Sequence, residues 1–193
     1  MDTLFPLRPT QLENDTLVAN IMRCYWTATP DQRQRGMHWY QTAHDLAKII
    51  GTDVSMGAGL LAALSANKSW HDTVKLSIHA GSGNPIRTLS DQQRKVRLIL
   101  AGADPVTILP MEVKTGQFYQ CIMNPDHPTA VVIDRHAHDI ARGRAYGDFN
   151  RGLSYLKRYR IFADAYRRAA AVLKLTPCQL QAVTWVVWTE RNL

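Results

Sequence analysis

The sequence predicts an all-α protein, and three observations carry that prediction. Apolar residues recur at helical spacing along most of the chain, start and stop signals bracket those stretches, and no segment sustains strand-like alternation. The first helix is marked by Leu17, Ile21 and Tyr25, joined by Val18 and Met22 in one stripe. A second runs from Pro30, suited to a first helical position, to Gly51 as its stop. Residues 56–66, MGAGLLAALSA, are apolar on every side and predict a buried central helix. Ser69–Ala80 fits a helix ending at Gly81, followed by the loop GSGNP. Ser90 with Gln93 forms a capping box opening a helix that closes near Gly102, and Thr176-Pro177-Cys178-Gln179 repeats that signal for the last helix. Val131–Ile133 is a short candidate strand. The expected architecture is about nine or ten helices.

At 193 residues, with no internal repeat and no Pro/Gly-rich linker, the chain is expected to be a single domain spanning 1–193. An apolar fraction of 46% against 20% charged residues excludes wholesale disorder. Cys24, Cys121 and Cys178 are too few for a four-thiolate centre, and their wide spacing points to a reducing compartment. The longest uncharged stretch near the middle, Val54 to Asn67, is shorter than the roughly 20 residues a membrane helix needs. The start MDTLFPLRPT lacks the pattern of a signal peptide, so a cytoplasmic location and no membrane partner are expected.

The net charge is +7, with a pI near 9.5. Between Arg135 and Lys174 lie ten basic residues and three acids, so this one segment equals the excess of the whole chain. Concentrated cations suit a polyanion, because they displace counterions condensed on phosphates. The same count also fits a solvated arginine-rich helix face.

Residues 104–142 hold the candidate chemistry. A short helix leads through a turn at Leu109–Glu112 into a helix carrying Lys114. Twenty residues later the apolar run Val131-Val132-Ile133 delivers Asp134 to the start of another helix. Taken singly, Asp134 is a plain N-cap and Lys114 an exposed helix lysine. Together, a lysine after a helical hairpin and an apolar-apolar-Asp-x-His motif resemble the active-site pattern of the helix-hairpin-helix DNA glycosylase superfamily, which includes endonuclease III and the 8-oxoguanine glycosylases. Three further stretches follow in that superfamily's order. Leu60–Trp70, LLAALSANKSW, resembles the buried helix and turn before the DNA-intercalating loop. Asp91–Leu100 resembles the helix leading toward the hairpin, and Gln181-Ala182-Val183-Thr184-Trp185 resembles the helix lining the base pocket. The resemblance covers roughly residues 56–190 and extends to small bacteriophage proteins, some associated with modified-base DNA. The chain departs from it at the hairpin. Ile108-Leu109-Pro110-Met111-Glu112 has no glycine to let amides approach a phosphate, and adds an acid. The iron–sulfur cluster of endonuclease III, which needs four cysteines, is not expected here.

The resemblance implies a glycosylase-like helical fold acting on double-stranded DNA with a damaged or modified base. Lys114 and Asp134 are then catalytic. The lysine amine attacks the sugar as a nucleophile, with lyase activity through a Schiff base, and the carboxylate stabilises positive charge developing on the sugar. The amine must be neutral to attack, which an apolar setting of Val113, Phe118 and Ile133 would favour. Asn67 fills the gap left by a flipped base, or is simply a loop residue ahead of the Ser69 helix start. Lys68, Arg135 and His136 contact DNA; His136 alternatively is a surface histidine. Gln181 and Trp185 line the base pocket, and Trp188, three residues on, better fits the core.

No cofactor and no metal are expected. His71 and His79 are two helical turns apart, and neither they nor His38 and His44 have a cysteine or acid cluster to complete a site. The chain is expected to act as a monomer in a bacterial cytosol or a phage-infected host. Two other readings stay open: a phage enzyme on the same fold that hypermodifies thymine-type bases by displacing pyrophosphate, and a non-catalytic DNA-binding protein.

Overall fold

The computed structural model describes residues 4–191, which form eleven helices and no strand. The chain divides into two compact units: one is Tyr40–Pro125, the other is made by the chain ends, up to Trp39 and from Asp126 onward. The first boundary falls at the start of a helix and is unmarked in the sequence, whereas the second falls in a loop holding Pro125 and Pro128.

The unit of the chain ends holds α1 (Gln11–Trp26), α2 (Pro30–Met37), α9 (Arg135–Arg142), α10 (Leu156–Leu173) and α11 (Pro177–Glu190). Of the predicted stripe, Leu17, Ile21 and Tyr25 are buried on α1 with Cys24 beside them, while Val18 and Met22 are half-buried. Tyr159, Phe162, Tyr166 and Ala169 recur three and four apart on the buried face of α10. The expected capping box at Thr176 and Gln179 opens α11.

The inner unit holds most of α3 (Trp39–Ile50), then α4 (Val54–Leu64), α5 (Trp70–Gly81), α6 (Ser90–Leu100), α7 (Pro105–Ile108) and α8 (Lys114–Met123). Helix α4 is the predicted central helix, with every residue from Gly57 to Leu64 buried, and it packs against α5, α6, α7 and α8. Ser69 caps α5 through its hydroxyl, which accepts the Asp72 amide.

Three expectations are corrected. The helix predicted over 30–51 breaks at His38, whose ring Nδ1 lies 2.9 Å from the Gln34 carbonyl. Just before this break, a Cβ on Gly36 would lie 2.4 Å from Val183 Cα, so α2 rests directly on α11. The capping box at Ser90 does not form; Leu89 is the N-cap, and the Gln93 amide donates to the carbonyls of Ile86 and Thr88. Val131–Ile133 is extended but pairs with no strand. The Tyr159 hydroxyl takes a strand's place there, donating to the Val131 carbonyl and accepting the Ile133 amide, so two of the buried run's backbone groups are paired by one side chain.

Candidate active site

The predicted site residues fall on both units. Lys114, Asn67 and Lys68 belong to the inner unit, and Asp134, Arg135, His136, Gln181 and Trp185 to the unit of the chain ends.

In the inner unit, Asp104 caps α7 by accepting the Val106 amide at 3.0 Å, and Pro105 takes the first helical position. Leu109 is buried and ends α7 in an extended conformation, and the Val113 amide closes the turn onto the Pro110 carbonyl. Helix α8 then lies hard against that turn. A Cβ on Gly116 would sit 2.1 Å from Met111 Cα, and the side chains of Gln117 and Gln120 both donate to the Met111 carbonyl, at 2.8 and 3.3 Å. The turn between α7 and α8 is thus held by side-chain amides and by a glycine placed on the following helix, not in the turn.

Lys114 is the first residue of α8 and half-buried; its amine has no hydrogen-bond or ion-pair partner among the described residues, and the first turn contains no acid. One turn further on, Phe118 meets the rings of Tyr40 and Trp70 edge-on, with centroids 6.1 and 6.2 Å apart. Trp70 is the first residue of α5, directly after the loop carrying Asn67.

In that loop Asn67 is exposed and adopts a left-handed backbone with φ of 58°, a conformation asparagine tolerates better than most residues. Lys68 is spent locally. Its amine donates to the Thr88 hydroxyl at 2.9 Å and to the Gln92 side-chain oxygen at 3.0 Å.

On the other unit, Asp134 is the N-cap of α9, and its Oδ1 accepts the Ala137 amide at 2.8 Å. Its second oxygen has no partner among the described residues. The cap and an available acid therefore coexist in one carboxylate. Of the apolar setting expected for Lys114, Val113 and Phe118 share its unit and Ile133 does not. Arg135 is exposed and donates through Nε to His136 Nε2 at 3.2 Å, so that nitrogen of His136 is an acceptor. Burial lowers the His136 pKa, against the opposing pull of the Asp134 charge.

Behind this motif lies a buried ionic cluster. Arg151 grips Asp139 with two bonds of 2.7 Å, and Asp139 also accepts the Tyr146 amide and faces His138 Nδ1 at 2.8 Å. Burial alone would raise the Asp139 pKa, but the bonds from Arg151, His138 and Tyr146 hold it at about 2.

On α11, Gln181 is buried, and Trp185, one turn later, is half-buried with its ring 6.1 Å from that of Trp39. Trp188 is half-buried, and the Arg191 guanidinium stands 5.7 Å from its ring.

The sequence profile of DUF7178, a family of unknown function, matches residues 6–192. The chain belongs to this family. No curated protein and no solved structure matches it.

In this DUF7178 chain the basic segment serves structure as well as surface. Arg158 is buried and donates to the carbonyls of Phe5 and Gly152; Arg167 holds the Thr129 carbonyl and Asp164; Arg168 pairs with Asp15. With Arg151 on Asp139, four of the ten cations have partners within the protein, Arg151 and Arg158 away from solvent and Arg167 and Arg168 at the surface; Arg135, Lys157 and Lys174 are exposed. Among the described residues no cluster of histidines, cysteines and acids fits a metal.

Sequence reasoning missed Gln92, Tyr159, His127 and the Asp139–Arg151 pair. A signal for Gln92 was present: it lies on the stripe of Val96 and Ile99, a polar side chain on a buried face.

Proposed function

We propose that this chain is a DNA base-excision enzyme with a helix-hairpin-helix glycosylase-like fold, using Lys114 as nucleophile and Asp134 as charge stabiliser. The observation that carries this reading is the pair of helix starts. Lys114 opens α8 directly after the α7–α8 hairpin with its amine unpaired, and Asp134 opens α9 after the extended run with one oxygen unpaired. The order of a short helix and turn, lysine, apolar run and acid resembles the superfamily pattern.

The chemistry balances. The lone pair of the Lys114 amine forms a bond to C1′ of the sugar, and the bond from C1′ to the base breaks. The base leaves with that electron pair and takes up a proton. Transfer of an amine proton to the ring oxygen O4′ breaks the C1′–O4′ bond and opens the sugar to a Schiff base. Loss of a C2′ proton to water then forms the C2′–C3′ double bond as the C3′–O bond breaks and the 3′-phosphate leaves with that electron pair. Positive charge on the sugar peaks as the base departs, and a fixed carboxylate such as Asp134 lowers that barrier. Asn67 occupies the space of the flipped base, Arg135 and His136 contact the DNA backbone, and Gln181 with Trp185 contacts the extruded base.

A second reading is favoured by one feature, the hairpin without a turn glycine and with exposed Glu112. On it, the same fold modifies a base and displaces pyrophosphate. Mass spectrometry of products from duplexes with damaged and hypermodified bases separates the two. Free base supports excision, pyrophosphate with the base retained supports modification, and saturable binding with neither product leaves only a DNA-binding protein.

A further inference from the structure

The loop that carries Asn67 is held from beneath by a single buried amide. Gln92, on α6, is 4% exposed, and both ends of its side chain are used. Its Nε2 donates to the Ala66 carbonyl at 3.2 Å, and its Oε1 accepts the Lys68 amine at 3.0 Å together with the Thr88 hydroxyl. Thr88 also accepts from Lys68, closing a three-membered network. The residues immediately before and after Asn67 are thus tied to the same side chain, while Asn67 itself is exposed with φ of 58°.

The geometry points to Gln92 as a positioning residue that presets the Asn67 loop for insertion into a duplex, with Lys68 as part of the brace instead of a phosphate contact. This rests on the reading of Asn67 as the residue that fills the space of an unstacked base. A loop ordered only on binding loses affinity to that ordering, whereas one fixed at both flanks has met the cost during folding. A glutamine buried on an otherwise apolar stripe is an expensive choice if it merely packs, because each of its polar groups must find a partner. Here every partner lies in the loop or in the turn before α6.

A duplex with 2-aminopurine opposite a tetrahydrofuran abasic analogue tests this, because the probe brightens when it unstacks. At saturating protein, Gln92→Leu is expected to lose most of the brightening, as Asn67→Ala does, while still binding the duplex. Full brightening with Gln92→Leu, alongside its loss in Asn67→Ala, overturns the brace and leaves the role of Asn67 standing. Full brightening with Asn67→Ala, or none with the unaltered protein, overturns the role of Asn67 and the brace with it. Should Gln92→Leu fail to fold, Lys68→Met cuts the same network from its accessible side. It is expected to lose the brightening with an unchanged salt dependence of duplex affinity; a log–log salt slope shallower by about one marks a phosphate contact and overturns the assignment.

Discussion

The phenol oxygen of Tyr159 lies 3.1 Å from the amide nitrogen of Ile133 and 3.0 Å from the carbonyl oxygen of Val131. One hydroxyl on α10 therefore fixes the segment that ends at Asp134. Tyr159→Phe leaves a buried amide and a buried carbonyl unpaired, a loss of about 1–3 kcal/mol. Urea denaturation should show a lowered midpoint at unchanged m-value. Because Asp134 follows directly, activity at full folding should fall as well, and unaltered activity would separate this segment from catalysis.

Asp139 and Arg151 form a buried pair joined by two charge-assisted bonds. Arg151→Met strands the carboxylate and should cost about 3–5 kcal/mol, read as a drop in unfolding midpoint. The pH dependence follows from the Asp139 pKa of about 2, below that of the unfolded chain. The stability this group supplies is complete above the unfolded carboxylate pKa and is lost as pH falls from about 4 toward 2. Asp139→Asn should remove that component of the acid transition.

His127 sets a second pH window. Its Nδ1 accepts the amides of Ala130 at 2.9 Å and Thr129 at 3.2 Å, which requires the ring to be neutral. Burial and the nearby Arg167 charge lower its pKa in the folded state. A histidine with a depressed folded pKa contributes stability present above the unfolded value of about 6.5 and lost as pH falls below it. Thermal midpoints measured between pH 7 and 5 should fall less steeply in His127→Gln than in the unaltered protein. Identical slopes would contradict this role.

Local signals were legible in the sequence, and tertiary ones were not. Thr176 and Gln179 cap α11, and the predicted run 56–66 overlaps the buried central helix Val54–Leu64, because caps and all-round apolarity are properties of neighbouring residues. The break at His38 was invisible, since no proline marks it and the approach of its ring to the Gln34 carbonyl depends on local conformation. Helix α10 was hidden by its arginines: three of the cations that suggested a polyanion surface, Arg158, Arg167 and Arg168, pair with Asp164, Asp15 and backbone carbonyls. At the candidate site, the cap formed by Asp134 was legible, whereas the brace under Asn67 depends on α6 meeting a loop twenty-odd residues earlier.

Reductive trapping on a duplex with an aldehydic abasic site is the sharpest measurement, because it needs no knowledge of the base. Borohydride should convert a Schiff base between the Lys114 amine and C1′ into a stable protein–DNA adduct, and Lys114→Ala should abolish it. No adduct with the unaltered protein, or an undiminished one with Lys114→Ala, would contradict the assignment of Lys114 as nucleophile.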